Sequence, residues 1–308
     1  MSPGQKLGKY EVLDLLGQGG NGVVYLVRDT VLHKRWAMKQ LFKDKQVLEE
    51  ALIMRELDHV GIPRITEKIE DDTYYYLVMD YCKGESLAKY CRSHKVTTER
   101  VVDWGIQLCD ILEYLHTRDI PVIFRDMKPE NVICDENGRL KLIDFGIAKL
   151  EEGGYDAKGT KGFAAPEQYR GIYSIRSDIY NLGATLLWCM RGKKHLILER
   201  LLRKAVSERV EKRYACAAVL KKKLIRLQKR MKKRNMYFLR AVIVVLVGSS
   251  LNTMWIHWET TKIREEISLI NHLLLEHYEK DTRSYMQELQ YRKKVLSKFA
   301  NQYFEDGI

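Results

Sequence analysis

Residues 123–146 read IFRDMKPENVICDENGRLKLIDFG, and this stretch decides how the rest of the chain is interpreted. Two aspartates, a lysine and an asparagine stand in it at spacings that suit one reaction. Moving a phosphoryl group onto a hydroxyl needs oxygen ligands for a divalent cation, positive charge on the moving group, and an acceptor that orients the hydroxyl. Asp126 can accept the hydroxyl proton, Lys128 can reach the phosphoryl, and Asn131 with Asp144 can hold the metal. Pro129 fixes its own φ and stiffens the loop that carries these groups.

Upstream, residues 10–29 (YEVLDLLGQGGNGVVYLVRD) alternate apolar and polar side chains, which predicts a strand, a glycine turn and a second strand. Gly17, Gly19 and Gly22 form G-x-G-x-x-G, followed by Val24. A dinucleotide-binding fold uses the same glycines but needs a helix next, whereas here a strand follows. Trp36, Ala37, Met38 and Lys39 continue as a strand, and residues 74–81 (YYYLVMDY) form an apolar strand that runs into Cys82-Lys83-Gly84-Glu85. Apolar residues three and four apart dominate 86–116 and predict helices. Further on stand TKGFAAPE at 160–167, SDIYNLG at 177–183 and EKRYA at 211–215.

In this order the motifs resemble those of bacterial, eukaryotic-like (Hanks-type) serine/threonine protein kinases in their single-pass membrane form; R-D-M-K-P-E-N followed by D-F-G carries most of the resemblance. The resemblance implies an α+β, two-lobed protein-kinase fold, with a β-rich N-lobe over 10–82 and a helical C-lobe over 83–224. It implies ATP as phosphoryl donor with Mg²⁺, or alternatively Mn²⁺. The glycine hairpin of Gly17, Gly19 and Gly22 would close over the phosphates. Val24, Ala37 and Ile133 would line the adenine pocket, Met79 would be its gatekeeper, and Asp80 to Cys82 would be the hinge. Lys39 would hold the α- and β-phosphates, with Glu50 as its ion-pair partner and Glu49 the competing choice. Thr160 would touch the catalytic aspartate and lysine, which implies serine or threonine as acceptor. Arg125, Glu167, Asp178 and Arg213 would be structural supports: Asp178 braces the catalytic-loop backbone, and Glu167 pairs with Arg213 in a buried ion pair.

Two departures stand out. Phe124 occupies the place where the family usually has histidine, a position that normally stacks in an apolar spine, so a phenyl ring can replace the imidazole without touching the chemistry. Met54, Ile65, Phe124 and Phe145 are the candidates for that spine. Between Gly192 and Arg213 the chain is shorter than in the family, so the C-lobe is reduced after the Asp178 helix, in the part that relatives use to dock substrates and regulators.

Composition sets the outer bounds. With 308 residues, 45% hydrophobic and 10% aromatic, the chain can bury a sizeable core and is not a disordered protein. The net charge of +12 is concentrated in the bases that run from Lys221 to Arg240 without an intervening acid. Its six cysteines all precede that run, without paired spacings, so neither a zinc site nor a disulfide framework is indicated. The first residues contain no apolar core of a cleavable signal peptide.

Residues 237–256 (YFLRAVIVVLVGSSLNTMWI) are long and apolar enough for a transmembrane helix, with Trp255 and Trp258 as an interfacial belt. The basic juxtamembrane segment, 225–236, could bind nucleic acid, but its place against an apolar segment favours anionic lipid headgroups and no nucleic acid. The positive-inside rule puts the kinase domain in the cytosol, with cytosolic proteins as substrates, and the tail at 257–308 outside. The tail carries apolar residues at 263, 267, 270 and 274 and again at 285, 289, 296, 299 and 303, which predicts two amphipathic helices. A solvated stalk and a homodimerisation element fit that pattern equally. Phosphorylation of the activation segment is expected to be dispensable, because Glu151, Glu152 or Asp156 can neutralise Arg125, while Tyr155 and Thr160 are its only hydroxyl residues from 147 to 165. The alternative from another class is a catalytically weak or dead kinase-fold scaffold, against which stand Lys39, Asp126 and Asp144, all present. A small-molecule kinase would normally lack the A-P-E element.

Overall fold

The computed structural model describes residues 1–19, 22–43, 53, 55–145, 148–150, 159–192, 194–277 and 283–305. Glu49, Glu50 and Met54, and Glu151, Glu152, Tyr155 and Asp156 of the activation segment, lie outside the described residues. The chain divides into two compact units, Met1–Met231 and Lys232–Ile308.

The first unit has the expected two lobes. Its N-lobe is an antiparallel sheet of six strands, β1 (Lys6–Leu7), β2 (Tyr10–Gly19), β3 (Gly22–Asp29), β4 (Arg35–Phe42), β5 (Ile65–Glu70) and β6 (Tyr74–Asp80), in the order β1-β2-β3-β4-β6-β5. The period of two sorts the side chains onto two faces. Tyr25, Val27, Trp36, Met38, Tyr76 and Val78 pack together on one face. Ala37, Leu41, Leu77 and Met79 join the main core on the other. Lys39 falls between Ala37 and Leu41, so the alternation that builds the core also turns this lysine inward, where it is 4% exposed.

Gly22, at φ 113°, is dictated by packing, because a Cβ there would run into the carbonyl oxygen of Gln40 on β4. Gly17 and Gly19 differ: a Cβ at either meets nothing within 4 Å, so the fold itself does not require them.

The C-lobe is helical. A short β7 (Glu85–Ser86) leads into α1 (Leu87–Ser93), and α2 (Thr98–His116) starts at Thr97, whose side chain accepts from the Arg100 backbone N–H. Val101, Val102, Trp104, Leu108, Ile111, Leu112 and Leu115 form the buried stripe of α2. The catalytic stretch follows, as β8 (Val122–Ile123), a 3₁₀ turn at Pro129–Asn131, β9 (Val132–Cys134), β10 (Leu140–Leu142) and β11 (Lys149–Leu150). Beyond it lie α3 (Ile175–Cys189), α4 (Leu196–Ala205) and α5 (Ala217–His277). Residues 190–195 separate α3 from α4, overlapping the start of the Gly192–Arg213 interval in which a shortening is expected from sequence.

The first turns of α5 belong to this lobe: Leu220, Leu224, Leu227 and Met231 are all buried in the main core. The buried stripe therefore runs past the Leu224 boundary expected from sequence. The basic run hides it, because Lys222, Arg226, Lys229 and Arg230 occupy the exposed side of the same turns. Lys221 is spent inside the lobe, on Asp110 and, at 3.0 Å, on Glu113 of α2.

The second unit comprises the remainder of α5 and α6 (Arg283–Glu305). Within α5, Arg240–Leu274 contains a stretch long and apolar enough to cross a membrane. The aliphatic residues of its N-terminal part, 241–251, are exposed, Val244 to 71% and Val245 to 69%.

Candidate active site

Four of the residues singled out from sequence converge. The Asp126 carboxylate accepts three hydrogen bonds: from the Thr160 hydroxyl at 2.6 Å on Oδ1, and from Lys128 Nζ at 2.7 Å and Asn131 Nδ2 at 3.0 Å on Oδ2. Lys128 Nζ also donates to Thr160 Oγ1 at 2.8 Å, which closes a ring of three side chains. Asn131 spends its amide nitrogen on Asp126, including the backbone carbonyl at 2.9 Å, and so keeps its amide oxygen as a ligand donor. Lys39 Nζ meets Asp144 Oδ1 at 2.8 Å, joining β4 to the D-F-G stretch. The donor set left for a divalent cation, an amide oxygen and a carboxylate, is the hard-oxygen type that Mg²⁺ or Mn²⁺ requires.

The loop holding this cluster is strained and clamped. Arg125 and Asp144 have φ values of 71° and 68°, in the left-handed region that non-glycine residues avoid. Each such residue costs on the order of 1–3 kcal/mol and persists only where its surroundings impose it. For Arg125 they do so from both sides. Its backbone N–H donates to Asp178 Oδ1 at 2.7 Å, and its carbonyl accepts from Gln168 Nε2 at 2.8 Å. Asp178, fully buried, also accepts from the Phe124 N–H at 2.8 Å and from His116 Nε2 at 2.9 Å. Thr185 on α3 donates to the Met127 carbonyl at 2.9 Å, two residues further along.

His116, Gln168, Asn181 and Thr185 have no role in the sequence reading. Asn181 donates to Gln168 Oε1 at 2.9 Å and to the Phe163 carbonyl at 2.7 Å, linking α3 to the turn that presents Thr160. The available signal was weak: a polar residue every few positions on an otherwise apolar α3 (Asp178, Asn181, Thr185), all of them buried.

The aromatic spine is present in part. Phe124 and Phe145 meet edge to face at 5.0 Å, both fully buried, and Ile65 packs beside the same core. Phe124 donates through its backbone N–H to Asp178, and its ring, packed on Phe145, has no atom that could join the hydrogen bonding around Asp126. The Arg125 guanidinium is also fully buried, 4.3 Å from the centre of the Tyr173 ring.

Among the residues expected to line an adenine pocket, Ala37 stands opposite Met79 in the β4–β6 register, and Val24 lies opposite Lys39. Ile133 sits opposite Ser86 between β9 and β7. Gly84, at φ 151°, lets the chain after the expected hinge of Asp80 to Cys82 pass close to β9, where a Cβ would collide with the Cys134 carbonyl. The Asp80 carboxylate accepts from the Arg64 N–H at 3.2 Å. Burial pushes the Cys82 thiol up to about 11, so it stays protonated and is a poor nucleophile.

Farther out, Glu167 and Arg213 form a bidentate pair at 2.6 and 2.8 Å. Burial pushes the Glu167 carboxyl up, but the hydrogen bonds from Arg213 and Ser177 outweigh it and hold the group below the usual carboxylate range.

A model of the protein kinase domain matches residues 10–247 of the chain. Among curated proteins, the chain is 32% identical over 197 residues to the serine/threonine-protein kinase RUNKEL of Arabidopsis thaliana, covering 61% of this chain and 14% of that protein. It is 34% identical over 197 residues to the probable serine/threonine-protein kinase nek2 of Dictyostelium discoideum, covering 58% of this chain and 47% of that one. With the serine/threonine-protein kinase PrkC of Bacillus subtilis it shares 31% over 201 residues, covering 60% and 31%. The chain thus spans less than half the length of these relatives.

Proposed function

Given that the chain belongs to the protein kinase family, we propose that it transfers the γ-phosphate of ATP to serine or threonine residues of cytosolic proteins, from a single membrane anchor and in a signalling role. The observation that carries the reading is the closed cluster of Asp126, Lys128 and Thr160. In this reading Asp126 orients the acceptor hydroxyl and takes its proton as the oxygen bonds to the γ-phosphorus and the bond to the β-phosphate oxygen breaks. Lys128 sits where it can offset charge on the moving phosphoryl. Lys39 binds the α- and β-phosphates under the Gly17–Gly19–Gly22 hairpin, and Glu50 is its proposed partner. Asn131 and Asp144 would hold Mg²⁺, which supplies positive charge to the phosphates. The ring of hydrogen bonds fixes Asp126 in advance, so little reorganisation is left for the moment of reaction. The full chain with labelled ATP, Mg²⁺ and a generic protein acceptor should place label on serine or threonine. Label confined to tyrosine or to a small molecule would overturn the reading.

The anchor is proposed on the exposed aliphatic surface of α5 and the bases beside it. Lys229, Arg230, Lys232, Lys233 and Arg234 are all exposed and suit anionic headgroups on the cytosolic face. A reporter active only outside the cytosol should work when fused after Ile308 and fail when fused at Met231. Activity at both junctions or at neither would remove the transmembrane assignment. For the tail, we favour pairing between two copies of the chain over a solvated stalk.

A further inference from the structure

The tail hairpin does not finish its own core. Residues of both helices line one groove: Glu266, Leu269 and Ile270 of α5, with Tyr291, Arg292 and Val295 of α6. These two sets lie about equally far in sequence from residues 278–282, so the two helices run antiparallel along the groove. The inner seam is a heptad stripe, Ile256, Thr260, Ile263, Ile267, Ile270 and Leu274, and every one of these is partly or fully covered. Beside it, a second apolar stripe stays open. Leu269 is 60% exposed, Tyr291 69% and Phe299 54%. Among the described residues of this unit, only Thr260 and Leu289 are buried.

A unit this small rarely stabilises itself without disulfides, a metal or oligomerisation. No cysteine follows Cys216, and no cluster of metal-ligating residues occurs among the described residues. Oligomerisation is left, and charge selects the partner. Glu266 and Arg292 face the same groove from opposite helices. A two-fold axis along the hairpin sets α5 of one copy beside α6 of the other, at the same level. Glu266 of each copy then meets the partner's Arg292, the reciprocal pattern of an isologous interface. Arg292 also pairs within its own helix with Glu288, at 3.1 Å, an exposed contact that a partner carboxylate can share.

We propose that this groove is the homodimer interface of the chain: a second copy of the hairpin fills it to form an antiparallel four-helix bundle, locked by the reciprocal pair of Glu266 and Arg292. The inference rests on the reading of the tail as a pairing element and specifies its surface, symmetry and ionic contacts. It does not depend on catalysis.

The test uses full chains reconstituted in lipid vesicles, with donor or acceptor fluorophores fused after Ile308, and reads energy transfer between copies as the protein-to-lipid ratio is varied. Wild type should pair. Glu266→Arg and Arg292→Glu should each weaken pairing roughly 10- to 100-fold, because each sets like charges against one another across the axis. An equimolar mixture of the two variants should regain pairing, since their heterodimer restores both contacts, and so should the double variant. Leu269→Glu should abolish pairing in either background. Pairing that survives Leu269→Glu and both charge reversals would leave the homodimer standing and overturn the groove. Wild-type chains that never pair, with the hairpin instead shielded by the vesicle surface, would overturn the homodimer reading itself.

Discussion

Asp126→Asn should lower phosphoryl transfer by about 10²- to 10⁴-fold, the span expected for losing a general base, while the protein keeps its fold and its affinity for ATP. The geometry explains why the two effects separate. All three neighbours of this carboxylate, Thr160, Lys128 and Asn131, donate to it. An asparagine can present its oxygen to Lys128 and Asn131 and its amide N–H to Thr160, whose hydroxyl turns to accept. The ring of hydrogen bonds survives, and only the ability to take a proton is lost. Single-turnover transfer with labelled ATP, beside a nucleotide-binding titration and a melting curve, checks both halves. Near wild-type transfer would mean that Asp126 is not the proton acceptor. A chain that binds nucleotide but transfers nothing even as wild type would favour the scaffold alternative.

Arg213→Ala should destabilise the two-lobed unit by about 3–5 kcal/mol, the usual cost of stranding one member of a buried ion pair. The Arg213 side chain is fully buried. Besides both Glu167 oxygens it donates to the carbonyls of Ser207 at 2.7 Å and Arg176 at 3.1 Å, and it lies 4.9 Å from the Tyr180 ring. Its removal leaves a half-buried carboxylate and several carbonyls without donors. At roughly 2–4 °C per kcal/mol for a unit of this size, thermal melting should shift down by about 6–20 °C. Arg213→Lys should recover little, because an ammonium cannot make the two parallel bonds. The same pair gives a pH dependence of definite sign. Burial opposes ionisation of Glu167, yet the Arg213 and Ser177 hydrogen bonds leave its folded pKa below the ordinary 4.5. Its contribution is therefore complete above that ordinary value and is lost as pH falls through the depressed one. Melting curves of wild type and Glu167→Gln should converge in acid and diverge at neutral pH; parallel curves would remove Glu167 from the acid response.

Much of this protein is legible from its residues in order. The β2–β3 hairpin and the helical stripe of α2 follow from periods of two and 3.6, which are properties of the local backbone, whereas the role of Lys39 came from resemblance. The catalytic and metal-ligand candidates sit within a single stretch of some two dozen residues, so their spacing reports their chemistry directly. The placement of Thr160 against Asp126, 34 residues apart, came instead from resemblance.

Tertiary structure alone decided the rest. His116 and Asp178 stand 62 positions apart, yet both serve one buried hydrogen-bond centre. Gln168 lies one residue past Glu167, but it turns inward to the Arg125 carbonyl while its neighbour turns to Arg213. The last turns of α5 in the lobe, Leu227 and Met231, are core residues concealed among lysines and arginines. In each case the sequence determined what a side chain can donate, accept or bury, because those are properties of single residues and of their local period. Which partner it found was decided by the packing of distant segments, since a buried polar group must be satisfied by whatever the fold brings within reach.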